Sequence, residues 1–190
     1  MDLSTLDGSN GFRLDGIDPL DSSGFSASAA GDVNGDGLDD IIIGAPFADP
    51  GGDRFAGESY VIFGSNAGFT ASLDLSTLNG TNGFRLDGID DGDFSGASVS
   101  SAGDVNGDGL DDIIIGAYGA DPSGDSYAGE SYIVFGSNAG FAASFDLSTL
   151  DGSNGFRLDG IDTGDISGNS VSAAGDVNGC LLYTSPSPRD

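Results

Sequence analysis

The nonapeptide DVNGDGLDD stands at 32–40 and again, unchanged, at 104–112, and its first four residues return at 176–179. The interval is 72 residues each time. Residues 2–73 and 74–145 align without a gap and agree at 55 of 72 positions; residues 146–179 agree with 74–107 at 28 of 34. A period this long and this faithful means one structural unit used repeatedly, each copy burying its apolar faces against its neighbours. Any fold proposed for the chain must therefore be an array.

The frame breaks at one place. Asp36 and Asp108 set the expectation of Asp after Gly179, but Cys180 stands there, followed by LLYTSPSPRD. Those eleven residues share nothing with the repeat and back-translate to a string resembling a transposon-end sequencing adapter. Residues 180–190 are therefore set aside as a non-native tail. This divides the chain into repeats 2–73 and 74–145, a truncated repeat 146–179, and the tail. Met1 occupies the frame position of Leu73 and Phe145, which suits an internal methionine as well as a true start.

Composition narrows the function classes. The chain has 31 acidic residues, five basic ones and no His, for a formal charge of −26. All five basic residues are Arg, and only Glu58 and Glu130 are Glu. Acid spread evenly with no basic patch argues against nucleic acid as a partner. No apolar run reaches the ~18 residues of a membrane span, which argues against membrane insertion. The single Cys lies in the tail, so the repeats hold neither disulfides nor thiolate metal sites.

Within one unit the pattern is all-β. GFRLDGID at 83–90 alternates apolar Phe84 and Leu86 with Arg85 and Asp87, as in an edge-like strand with one buried face. GASVSSAGD at 96–104 is rich in small residues, which suits a strand crowded near an axis. IIIGA at 113–117 reads as a strand buried on both faces, and ESYIVFG at 130–136 as a fourth strand. Gly, Asp, Asn and Pro fill the turns, and no segment carries an amphipathic helical period. Four strands per repeat predict a blade that buries both faces against its neighbours. The expected fold is all-β, with β-propeller blades of four antiparallel strands, about two and a half of them. A ring needs at least ~4 blades to close, so an open arc is expected.

The nonapeptide has the oxygen spacing of a calcium loop. Counting from Asp32, side-chain oxygens come from Asp32, Asn34, Asp36 and Asp40, and Leu38 offers its backbone carbonyl. The second loop offers Asp104, Asn106, Asp108, Asp112 and the Leu110 carbonyl. Oxygen donors without His or Cys select calcium over zinc or copper, and magnesium rarely takes such all-protein sites. Gly37 stands where the loop must turn sharply. An EF-hand would close with Glu at position 12, but Ile43 and Ile115 stand there, inside β-branched runs. The third copy retains only Asp176 and Asn178 and is expected to be incompetent.

Two weaker signals stand beside the loops. Asp49, Asp53 and Glu58, with Asp121, Asp125 and Glu130, fall in the segment joining the IIIGA strand to the ESY strand, where a solvated acidic loop is favoured over a second cation site. Arg13, Arg85 and Arg157 recur among carboxylates and are expected to form structural ion pairs.

SGFSASAAGDVNGDGLDDIIIGAP at 23–46 and SGASVSSAGDVNGDGLDDIIIGA at 95–117 resemble the FG-GAP repeat of integrin α-chain propellers and of large bacterial surface proteins. Gly44-Ala45-Pro46 matches the family's Gly-Ala-Pro, although the second copy has Tyr118 in place of Pro. The near-identical units look more like the bacterial arrays. The resemblance implies a propeller with calcium in the hairpin between a blade's first two strands, and an extracellular or cell-surface setting.

Two functions are expected on these grounds. The first is a non-catalytic, calcium-stabilised adhesion or interaction scaffold with a protein or glycan partner. The second is the accessory propeller of a larger secreted enzyme. Catalysis inside these repeats would rest on Asp and Glu alone, and the carboxylates repeat with the unit, as structural roles predict.

Overall fold

A computed structural model describes residues 2–173. The strands are β1 (Arg13–Asp15), β2 (Ser26–Gly31), β3 (Asp40–Ala45), β4 (Glu58–Ile62), β5 (Ser72–Asp74), β6 (Gly83–Asp87), β7 (Ser98–Gly103), β8 (Asp112–Ala117), β9 (Glu130–Val134), β10 (Ser144–Asp146) and β11 (Gly155–Asp159). Helical structure among the described residues is confined to short 3-10 turns. Asp2, Asp74 and Asp146 each cap one of these turns by accepting the N–H of the serine two residues on.

Nine of these strands form two blades of the expected size, and β1 pairs with β5 in parallel as a separate two-stranded sheet. One sheet runs β10-β6-β4-β3-β2 and the next β11-β9-β8-β7. Within each, the four main strands are antiparallel neighbours. The innermost strands β2 and β7 lie beside one another across the boundary between sheets. These are the strands rich in Ser, Ala and Gly, and crowding explains that composition. The architecture is all-β, a propeller arc that does not close.

The phase of the blade differs from the phase of the repeat. GFRLD at β6 pairs with β4 of the preceding 72-residue unit, Tyr60 standing opposite Arg85 and Val61 opposite Phe84. Each blade thus borrows its outer strand from the next unit. Period and pattern alone cannot show this, because the outer strand reads the same in either phase. Nor is β6 an edge. Ser144–Asp146 adds a fifth strand parallel to it, and Phe141, just before that strand, stacks on Phe84 with ring centroids 4.1 Å apart.

The apolar pattern places the core. In β3, Ile42 points into a cluster shared with Ile113, Ile115, Val99 and Tyr132 of the second blade. Its neighbour Ile43 points the other way, into a cluster with Tyr60, Ile62, Leu75 and Leu78. Alternation along a pleated strand thus gives the first sheet two buried faces. Each fully buried Ile or Phe contributes roughly 1.5–3 kcal/mol. The Gly of Gly-Ala-Pro has a steric cause. A Cβ on Gly44 would lie 1.9 Å from the Gly96 carbonyl oxygen, and one on Gly116 equally close to the Gly168 carbonyl oxygen. Backbones of successive blades meet at these points.

Candidate metal loops and the opposite rim

Residues 32–39 form the hairpin joining β2 to β3, and 104–111 the hairpin joining β7 to β8. The two loops therefore occupy the same place in successive blades. Both come directly after a β-bulge, between Ala29 and Gly31 and between Ser101 and Gly103. Such a bulge twists the strand and re-aims the hairpin beyond it.

Each loop is organised by its own carboxylates. Asp32 Oδ1 accepts the N–H groups of Gly35 (2.8 Å) and Asp36 (3.0 Å), and Oδ2 accepts that of Gly37 (2.9 Å). Asn34 Oδ1 accepts the Asp36 N–H at 2.8 Å, and its amide donates to Asp36 Oδ2 at 3.1 Å. Asp36 Oδ1 accepts the Leu38 N–H at 2.9 Å. Asp104, Asn106 and Asp108 repeat the same set, with distances of 2.7–3.0 Å. Gly37 turns with φ +84, the left-handed conformation expected of it.

The fifth position behaves differently. Asp40 is 1% exposed and Asp112 is 0% exposed. Asp40 accepts N–H groups from Val33 at 3.0 Å and Gly64 at 2.8 Å; Asp112 accepts from Val105 at 2.8 Å and Gly136 at 2.9 Å. These carboxylates bind the hairpin to the end of the third strand. Burial pushes the Asp40 carboxyl up to about 6; the two N–H donors oppose this, and the charges of Asp36 and Asp32 add to it. Asp112 is raised for the same leading reason.

The donor chemistry suits a hard divalent cation: three carboxylates, an Asn amide oxygen and a backbone carbonyl, with no nitrogen or sulfur ligand. Among the described residues, however, no three Asp, Glu, His or Cys side chains are gathered at ion-holding distance. The loop carboxylates are turned onto the loop's own N–H groups. Leu38 is half-buried against Gly64, and Leu110 lies against Gly35 of the first loop. Asp176, Asn178 and Cys180 lie outside the described residues.

Sequence reasoning missed Asp111. Its Oδ2 accepts the N–H of Asp32 at 2.9 Å, and its own N–H donates to the Asp32 carbonyl at 3.2 Å. The signal available was the doubled Asp at positions 8 and 9, of which only the second was given a role.

Antiparallel pairing sends the next connection, from β3 to β4, to the opposite end of the blade. There Phe25, Phe47, Phe55, Phe94 and Tyr118 form a row with centroid separations of 5.2–6.0 Å. Arg54 lies over Phe55 at 4.5 Å. Phe25 is 60% exposed and Tyr127 is 55% exposed. The acidic segment between the second and third strands divides. Asp49 and Asp121 accept the N–H groups of Phe55 and Tyr127 at 2.7 and 2.6 Å. Glu58 and Glu130 are not solvated loop residues but the buried first residues of β4 and β9. Each accepts a tyrosine hydroxyl, from Tyr60 and Tyr132, and faces Arg85 at 3.4 Å or Arg157 at 3.2 Å. The recurrent Arg residues are thus structural ion-pair partners.

The FG-GAP repeat family model matches residues 24–62 and 95–134, the segments running from just before β2 to β4 and from just before β7 to β9. Integrin alpha-PS2 of Drosophila melanogaster is 35% identical over 135 residues, covering 69% of this chain and 9% of that protein. Integrin alpha pat-2 of Caenorhabditis elegans is 32% identical over 175 residues, covering 83% of this chain and 14% of that protein. Phosphatidylinositol-glycan-specific phospholipase D of Bos taurus is 31% identical over 122 residues, covering 64% of this chain and 14% of that protein. The chain thus spans only a small part of the length of these relatives. It carries two FG-GAP repeats, is related through them to integrin α chains, and has a propeller-type fold.

Proposed function

We propose that these repeats form part of a calcium-binding interaction scaffold in an extracellular or cell-surface setting, with no catalytic role of their own. The observation that carries this reading is the recurrence of one oxygen-rich loop in the same hairpin of two successive blades. Calcium would be held by Asp32, Asn34, Asp36, the Leu38 carbonyl and Asp40, and by Asp104, Asn106, Asp108, the Leu110 carbonyl and Asp112. A bound cation supplies positive charge where four carboxylates share nine residues, three of them proposed ligands, and stabilises the fold by mass action. Extracellular modules work with affinities of about 10⁻⁴–10⁻³ M. The aromatic row on the opposite rim, exposed at Phe25 and half-buried along the rest, offers an apolar contact surface to a protein or glycan partner. The relation to integrin α chains is what favours adhesion as the use of this scaffold.

A calorimetric calcium titration of the chain tests the ion reading. Two calcium ions bound per chain is the expected stoichiometry, and no binding at millimolar calcium overturns it. One observation favours a second reading, the accessory propeller of a larger secreted enzyme: a phospholipase D is among the relatives. Sequence flanking these repeats in the full gene discriminates, since further repeats support the scaffold and a non-repeat catalytic domain supports the enzyme.

A further inference from the structure

The two loops are not independent in the fold. Asp111 sits in the second loop between Leu110 and Asp112, and grips the first residue of the first loop, Asp32, with both its carboxylate and its N–H. A third bond joins the blades beside it, from the Ser137 N–H to the Val33 carbonyl at 2.9 Å. Val33 is fully buried, and Leu110 lies against Gly35. The cradle is tight. A Cβ on Gly31 would lie 2.2 Å from the Asp111 carboxylate, so Gly31 leaves the space that Asp111 fills. The counterpart Asp39 is exposed, whereas Asp111 is half-buried.

We propose that Asp111 is a positioning residue that couples the two loops, so that a divalent cation loading one loop raises the affinity of the other. The proposal rests on the calcium reading above. The proposed donors of one site, Leu110 and Asp112, flank the residue that fixes the backbone of a donor of the other, Asp32. An ion that orders either loop restricts the backbone of both. The second ion then meets a loop whose ordering has been partly accomplished, which is positive coupling without a change of fold. The coupling is reciprocal: loop one must affect loop two by the same factor.

The test is a calcium titration cycle by calorimetry on the full chain. Disabling the second loop with Asp104→Ala and Asp108→Ala should weaken calcium binding at the first loop about fivefold or more. In an Asp111→Ala background, the same disabling should leave first-loop affinity unchanged within about twofold. Asp111→Asn keeps an acceptor for the Asp32 N–H and should restore most of the coupling. Amide exchange at Asp32 gives a metal-free readout, with protection lost in Asp111→Ala and retained in Asp111→Asn. Two bound ions whose first-loop affinity is indifferent to the second loop would overturn the coupling while leaving the calcium reading intact. Absence of any calcium binding to the unaltered chain would overturn both.

Discussion

Asp40 accepts the backbone N–H of Gly64, 24 residues further along the chain, at 2.8 Å. Its other oxygen holds Val33 at 3.0 Å, so one buried carboxylate closes the hairpin and ties it to the end of β4. Asp36, four residues earlier, is exposed and bonds only within its own loop. Two proposed ligands of one ion thus have unequal structural duties.

That inequality is measurable without metal. In chelator, Asp40→Ala strands two N–H groups and should cost about 1–3 kcal/mol, some of the loss being offset because an ionised buried carboxylate is removed. Asp36→Ala loses only exposed bonds and should cost less than about 1 kcal/mol. Urea denaturation of both variants in EDTA checks the difference.

Close backbone approach between blades makes Gly44 sensitive. Gly44→Ala drives a Cβ toward the Gly96 carbonyl, which belongs to the backbone and has no rotamer by which to yield. Separation of β3 from the next blade should cost about 3 kcal/mol or more, since packed interiors absorb extra volume poorly. Thermal melts should place this variant well below Ala27→Gly, a change at an exposed position of β2.

The buried Glu58 depends on its partners. Arg85→Ala leaves the carboxylate with the Tyr60 hydroxyl but no cation, and should destabilise by about 2 kcal/mol, less than for a fully buried pair because the Arg85 side chain is 34% exposed. Pairing it with Glu58→Gln should cost less than the sum of the single changes. Chemical denaturation of the three variants reads the coupling.

Acidity acts through buried carboxylates, Asp40 and Asp93 foremost; Asp93 lines a cavity of about 400 Å³ with Asp90, Asp121, Glu130 and Arg157. Burial first, and then the charges of Asp90, Glu130 and Asp121, push its carboxyl from 3.8 up to about 6, against the pull of the Asp90 N–H. The folded state therefore keeps a proton that the unfolded state has lost. This contribution is complete below about 4 and is lost as pH rises through about 6, amounting to at most about 3 kcal/mol. In EDTA, the melting temperature should fall between about pH 4.5 and 7, and Asp93→Asn should fall less. An equal fall in both would remove Asp93 from the explanation.

Much of this architecture is legible in the sequence, because repetition and alternation are local signals. The IIIGA runs form central strands, with Ile42 and Ile43 facing opposite cores, and DVNGDGLDD forms the hairpin between a blade's innermost strands. The features that escape depend on pairing between units. That GFRLD closes the preceding blade, that Ser144–Asp146 lies parallel to β6, and that Asp111 reaches Asp32 are contacts across 20 or more residues. The residues involved look equally satisfied by a local partner. Glu58 escapes because acid beside Gly and Asp resembles a solvated loop, while its buried Tyr60 and Arg85 partners become visible only in the fold.

The most direct measurement is the melting temperature of the chain in millimolar calcium and in EDTA, beside the Asp36→Ala plus Asp108→Ala variant. The account predicts a rise with calcium for the unaltered chain and little or none for the variant, with the two differing in EDTA by less than about 2 kcal/mol of stability. A melting temperature indifferent to calcium and EDTA, with the variant behaving as the unaltered chain, would contradict it.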